Sequence, residues 1–378
     1  MSVRFLHTSD WQLGMTRTFL SVEAQARYAD DQIEAVRELA RTATERECAL
    51  VVVAGDVFDS PLPTRRVLTR ALEALGTFTV PVFLLPGNHD YDNPAGLWSP
   101  GRLPGPLPPA VRVLHDATPV HVPDLPVEVV GAPWPSRRPD MDLVRAALGP
   151  LGPASSGTIR IAVGHGAVDS LAPDPLNPSL ISVAELKAAI EGRRASYVAL
   201  GDRHSATEVC ERVWYSGAPL ATDFDEVDSN TALLVDLDPD GATVEPVAIG
   251  RWQFVRRRFD LDGADSVRVL ATWLAGLPHK ERTVVRLSLV GTVDLATAEL
   301  LDQSLADGRD LLASLEVSAG RSELVVVPAE SDLASIDLSG FASEAVAELS
   351  RTATGSGEDA DAARDALMLV RRLAGRGR

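Results

Sequence analysis

Apolar residues in the first two-thirds of the chain come in short, closed runs separated by longer amphipathic stretches. Ala49 to Ala54 is continuous rather than alternating, the pattern of a strand buried on both faces, and Val3 to His7, Val80 to Leu85, Val127 to Val130, Ile159 to Val163 and Tyr197 to Leu200 read as further short apolar strands. Between the early runs, Glu23 to Thr42 sets Ile33, Val36, Leu39 and Ala40 on one helical face, and Thr64 to Leu75 reads as a second helix. Pro86-Gly87 stops the third strand. The β-α-β rhythm predicts an α/β layered fold. Asn93 to Pro109 holds six prolines and three glycines without periodicity, a long surface loop of the kind that carries binding. Thr231 to Leu237 and the residues after Thr243 read as a hairpin closing this part.

The pattern changes near Gln253. Gln253 to Leu261, Val267 to Leu274, Thr283 to Val290, Ala296 to Leu312 and Leu324 to Val327 predict β-α-β-α-β, a small separate α+β domain. Leu338 to Ser350 and Ala362 to Leu373 predict two helices split by Thr354-Gly355-Ser356-Gly357. The expected division is 1–252, 253–330 and 331–378, and at 378 residues two or three domains are the prior. No internal repeat is visible.

Composition adds limits more than identity. With 45% hydrophobic and 24% charged residues the chain is globular, not disordered. No apolar run approaches the roughly 20 residues of a membrane span, and the N-terminus turns polar too early for a signal peptide. Cys48 and Cys210 lack any paired spacing, which fits a reducing cytoplasm. The net charge of −17 argues against nucleic acid as a global sum, although a binding face is local. Nearly all positive charge is arginine; Arg137-Arg138, after Pro133-Trp134-Pro135, has a better claim on phosphate than Arg65-Arg66, Arg193-Arg194 or Arg256-Arg257-Arg258.

The chemistry sits where the strands stop. Phe5-Leu6 leads into Asp10-Trp11-Gln12, Val51-Val52-Val53 into Gly55-Asp56-Val57-Phe58-Asp59, and Phe83-Leu84-Leu85 into Gly87-Asn88-His89-Asp90. Ile161-Ala162-Val163 leads into Gly164-His165, and Val198-Ala199-Leu200 into Gly201-Asp202-Arg203-His204. Ligands of layered α/β proteins bind at the carboxyl ends of strands. Carboxylate, amide oxygen and imidazole together suit two divalent cations about 3.5–4 Å apart. An isolated Asp after a strand is ordinarily a turn former, but five such motifs in order point to one site. His7, His115 and His121 lack ligand spacing and read as structural or surface residues.

These motifs resemble the calcineurin-like metallophosphoesterases, whose pattern runs D-x-H, GDxxD, GNHD/E, GH, GHxH. Within them Phe5 to Gly14, Gly55 to Asp59, Tyr197 to Gly201 and Trp214 to Pro219 are similar to the SbcD/Mre group of DNA repair nucleases. The resemblance implies a layered metallophosphoesterase β-sandwich flanked by helices, a smaller capping domain, and a C-terminal helical pair that docks an SbcC-type coiled-coil ATPase. It implies one metal held by Asp10, Gln12, Asp56 and His204, and another by Asp56, Asn88, His165 and Asp202. His89 is then the general acid, with Asp59 and Asp90 orienting the site. Gln12 and Asp202 stand where the family has histidine. The exchange leaves an oxygen-rich shell suited to Mn²⁺, with Mg²⁺ second.

The expected function is a two-metal DNA exonuclease or endonuclease in double-strand-break repair, with DNA and the ATPase as partners. The alternatives are a phosphodiesterase on a smaller substrate and a weakened scaffold that binds DNA ends or an ATPase without cutting. A homodimer is expected through the helix bearing Val67, Leu68, Ala71, Leu72 and Leu75, a stripe that can equally pack on its own sheet. The terminal stripes (Ala342, Ala345, Val346, Leu349; Ala366, Leu367, Val370, Leu373) either dock the ATPase or cover the second domain.

Overall fold

The computed structural model describes residues 2–172, 174–238, 241–327, 341–353, 355 and 357–375. The chain divides into two compact units, residues 1–18 with 25–252 and residues 19–24 with 253–378. The expected boundary at 330 and the expected helix start at Leu338 lie outside the described residues.

In the first unit the elements run β1 (Val3–Thr8), α1 (Val22–Glu45), β2 (Leu50–Val53), α2 (Arg65–Leu75), β3 (Val82–Leu84), β4 (Val111–Val113), β5 (Val120–His121), β6 (Val127–Gly131), α3 (Leu143–Leu148), β7 (Ile159–His165), α4 (Val183–Glu191), β8 (Tyr197–Gly201), β9 (Ala206–Cys210), β10 (Val213–Ser216), β11 (Thr231–Leu237) and β12 (Ala242–Ala248). They build two six-stranded sheets, ordered β12-β11-β1-β2-β3-β4 and β5-β6-β7-β8-β10-β9. The central strands are parallel, and Thr8 stands opposite Val53, Val53 opposite Leu84, and His165 opposite Gly201. That register brings the ligand-bearing strand ends to a common edge of each sheet.

Alternation decides which layer each residue joins. Phe5, Leu50, Val52 and Phe83 meet Val129, Ile161, Val163, Tyr197 and Ala199 between the sheets. Their neighbours Leu6, Val51, Val53 and Leu84 face Ile33, Val36 and Leu39 of α1 and Leu68, Ala71 and Leu75 of α2. On the other side Ala162, Val198 and Leu200 face Val144 and Leu148 of α3 and Leu186 and Ala189 of α4. Helices therefore flank a β-sandwich, and each central strand is buried on both faces. Leu68, Ala71 and Leu75 of the α2 stripe are buried in this core, and Val67 and Leu72 are half-buried. The loop 93–109 also carries core residues, Leu97 and Trp98.

The second unit pairs β13 (Gln253–Leu261), β14 (Thr283–Val293), β15 (Ser314–Val317) and β16 (Glu323–Val326), all parallel, with β14 central. Helices α5 (Ala264–Gly276) and α6 (Leu295–Leu311) bury Val267, Leu270, Leu301 and Leu305 against Phe259, Val285 and Leu287. The two C-terminal helices, Phe341–Ala353 and Glu358–Gly375, cluster Val346, Ala353, Ala363 and Leu367 with Leu295. These apolar positions are taken up within the unit itself. No helix among the described residues is long and apolar enough to cross a membrane.

Candidate metal centre

Past its last ladder residue, β1 keeps pairing with the segment after β2: Asp10 N–H donates to Gly55 O (3.0 Å), Gln12 to Asp56 O (2.9 Å) and Leu13 to Val57 O (2.9 Å). This pairing sets the first two motifs side by side. Asp10, Gln12, Asp56 and Asp202 all hold left-handed backbone, with φ of 54°, 45°, 53° and 99°. Such conformations cost about 1–3 kcal/mol each and collect where surrounding structure enforces them. Close approach dictates the glycines: a Cβ on Gly55 would lie 2.2 Å from His165 Nδ1, and one on Gly87 would lie 2.2 Å from Asp56 Oδ1.

The seven expected metal ligands form one connected cluster. Ligand atoms of Asp10, Asp56 and His165 lie within 4.8 Å of one another. His165 Nε2 stands 2.8 Å from Asn88 Oδ1, 3.5 Å from Asp56 Oδ1 and 3.7 Å from Asp202 Oδ1. His204 Nε2 is 3.8 Å from Asp10 Oδ1 and 3.1 Å from Gln12 Nε2. Asp202 N–H reaches both Asp10 oxygens, at 3.2 and 3.1 Å. Asp56 therefore sits between an Asp10–Gln12–His204 group and an Asn88–His165–Asp202 group.

Electrostatics shows a site short of positive charge. Burial raises Asp56 and Asp202 above the ordinary carboxylate range. Burial also works against a charged His165, but Asp56, Asp10 and Asp202 outweigh it and raise the imidazole to about 9. At His204 burial is likewise outweighed, by the Glu226 hydrogen bond and by Asp10, again to about 9. Two imidazoles thus gather protons where carboxylates lack cations.

Gln12 tests the fit of a metal. Its side chain is buried and Oε1 has no hydrogen-bond partner. An orphaned buried acceptor costs about 1–3 kcal/mol. With His204 protonated, Nε2 of Gln12 would face a second donor; turning the amide over pairs Oε1 and orphans Nε2 instead. Either way one amide atom is left short, and a cation between Gln12, Asp10 and His204 would satisfy Oε1. The donor set fits divalent metal, with oxygens outnumbering imidazoles.

The neighbouring residues hold these ligands. His89 N–H donates to Asp56 Oδ1 (3.0 Å), and His89 Nδ1 meets Asp59 O at 2.9 Å while the Asp59 carboxylate stays 3.8 Å away. Asp59 thus anchors His89 through its carbonyl. Asp90, fully buried, accepts from Gly87 N–H (2.8 Å) and Phe58 N–H (3.2 Å), tying the second and third motifs together; burial and nearby Asp56 push it up to about 8. Glu226 carries no motif, yet its Oε1 is 3.0 Å from His204 Nδ1 and its Oε2 accepts Thr222 N–H at 2.9 Å. Trp134 Nε1 donates to His165 O at 2.7 Å, and Ser9 Oγ donates to Asp10 Oδ2 at 2.6 Å. His7 is a core residue between Tyr197 and Leu200 O. His115 pairs with Asp92, and His121 lies 4.0 Å from Glu128. Arg137 and Arg138 are exposed, downstream of Trp134.

Residues 3–180 match the calcineurin-like phosphoesterase family. The match to a calcineurin-like phosphoesterase domain is confined to residues 3–180. Over 91 residues the chain is 35% identical to the DNA double-strand break repair protein Mre11 of Archaeoglobus fulgidus, a stretch of 23% of this chain and 19% of that protein. The chain thus spans about a fifth of that relative's length. Among solved structures, TT1561 of Thermus thermophilus matches at 13% identity and TM-score 0.42, over 65% of this chain and 99% of that one. A 5'-nucleotidase precursor from the same organism matches at 14% identity and TM-score 0.35, over 66% and 55%.

Proposed function

We propose that this metallophosphoesterase is a DNA nuclease acting on double-strand-break ends with two divalent ions, Mn²⁺ first, and beside an SbcC-type ATPase. The observation that carries the reading is the split cluster centred on Asp56, in which both non-family residues still present ligand atoms. A decayed site would put small or apolar side chains at positions 12 and 202; here Gln12 offers an orphaned oxygen and Asp202 a carboxylate 3.7 Å from His165. The likeness to a break-repair protein supports DNA as the substrate class.

Bound there, divalent ions supply Lewis acidity and a nucleophilic water of lowered pKa. Asp10, Gln12 and His204 would hold one, Asn88, His165 and Asp202 the other, with Asp56 shared. Glu226 accepts the proton on His204 Nδ1, which leaves Nε2 as the ligand atom. The His89 N–H bond fixes Asp56 against the GNHD turn. His89 donates Nδ1–H to Asp59 O, so Nε2 is the atom that delivers a proton to the departing ester oxygen.

The test is an assay of linear and hairpin DNA with Mn²⁺, run beside a chromogenic phosphodiester. Mn²⁺-dependent DNA cleavage is expected. Hydrolysis of the small ester alone would make the chain a small-substrate phosphodiesterase, and DNA-end binding without cleavage would make it a scaffold.

A further inference from the structure

Eleven non-glycine residues among those described have positive φ, and four of them build the metal centre. Two others, Arg193 (φ 56°) and Arg212 (φ 63°), border one cavity of about 320 Å³ in the same unit. In these turn positions glycine or asparagine adopts the conformation at lower cost. Arginine at both is a choice that the backbone does not ask for.

The cavity lies at the other end of the strands that carry the ligands. Ile159 opens β7, which ends on His165, and Ser196 precedes β8, which ends on Gly201. The hydroxyls of Thr158 and Ser196 line it with the two arginines, and among the described residues no carboxylate does. Ser196 Oγ accepts Arg160 N–H at 3.1 Å. The Arg212 side chain is only 14% exposed, while Glu211, 3.6 Å from its Nε, is 82% exposed on the solvent side. Half-buried Ile190 supplies an apolar wall. In a chain of net charge −17, two guanidiniums, two hydroxyls and an aliphatic wall describe a receptor for an anion with an organic part. Its volume sits at the small end of pockets that bind organic ligands and exceeds what bare phosphate needs.

We propose that this cavity binds a small organic phosphate, its phosphate gripped by Arg193 and Arg212 and its organic part laid on Ile190. The site is separate from the metal centre and does not depend on its chemistry.

The experiment is calorimetric titration of the full chain in EDTA with adenosine monophosphate and, in parallel, inorganic phosphate. EDTA removes the metals through which the catalytic centre could hold phosphate. One-to-one binding of the nucleotide is expected, tighter than inorganic phosphate. It should weaken at least tenfold in Arg193→Gln, an exposed position whose change leaves the fold intact, and stay unchanged in Asp56→Asn. Equal affinity for both probes would reduce the site to a bare phosphate subsite and overturn the organic-ligand assignment. No binding of either probe at millimolar concentration, or binding indifferent to Arg193→Gln, would overturn the proposal altogether.

Discussion

Replacing Gln12 with methionine separates the two demands placed on this residue. Methionine matches glutamine in length and lack of branching, so the left-handed backbone at φ 45° is equally costly for both. In the metal-free protein the substitution removes a buried amide with one unpartnered atom, a relief of about 1–3 kcal/mol. It also removes the contact with His204, worth about 0.5–1.5 kcal/mol. The balance is a gain of about 1 kcal/mol, or roughly 2–4 °C for a unit of this size. With metal the sign reverses. Losing one ligand atom, and gaining a thioether that Mn²⁺ and Mg²⁺ disfavour, should weaken the affected ion at least tenfold, or about 1.4 kcal/mol of ligand-linked stability. Thermal unfolding in EDTA and in excess Mn²⁺ reads both effects. The variant should melt at or above wild type in EDTA and below it in Mn²⁺. A variant that melts lower in EDTA yet gains as much from Mn²⁺ as wild type would refute both the orphaned amide and its role as ligand.

His89→Asn should slow turnover about 10²–10⁴-fold, the usual weight of a general acid, with metal content unchanged by elemental analysis; lost metal would make His89 a structural prop of Asp56. Gly87→Ala should weaken Mn²⁺ binding at least tenfold in a titration, because the new Cβ would lie 2.2 Å from Asp56 Oδ1 and 2.5 Å from its backbone nitrogen. Gly87 is not at positive φ, so Gly87→Ser should do the same on steric grounds. His7, buried and lowered to about 3 by that burial, stays neutral in the fold while the unfolded chain titrates near 6.5. The unfolded state therefore binds more protons between these values, and stability is complete above pH 6.5 and falls as pH drops toward 3. By pH 5 the loss is about 2 kcal/mol, and denaturant melts of His7→Gln in EDTA should show an acid slope shallower by that amount.

The strand ends were legible because buried parallel strands read as short, predominantly apolar runs, so the polar residues that follow each one stand out. Asp10, Asp56, His165 and Asp202 announce themselves this way. Glu226 does not, since it reaches His204 from an acidic loop and matters only through the turn at Thr222 that presents it. Strand β9 has no sequence signal because Ala206-Thr207-Glu208-Val209-Cys210 is half-buried or exposed and neither alternates nor runs apolar. Asp59 was expected to orient the site, and it is its carbonyl, 2.9 Å from His89 Nδ1, that holds His89, a detail that side-chain chemistry cannot signal. The stripe on α2 had two possible destinations, and Leu68, Ala71 and Leu75 pack under the sheet.

The central claim is a two-ion centre shared through Asp56. Calorimetric titration of the metal-stripped chain with Mn²⁺ tests it most directly: two ions should bind per wild-type chain, and Asp56→Asn should lose at least one of them. A wild-type chain that takes up a single ion, or none at millimolar Mn²⁺, would contradict the account.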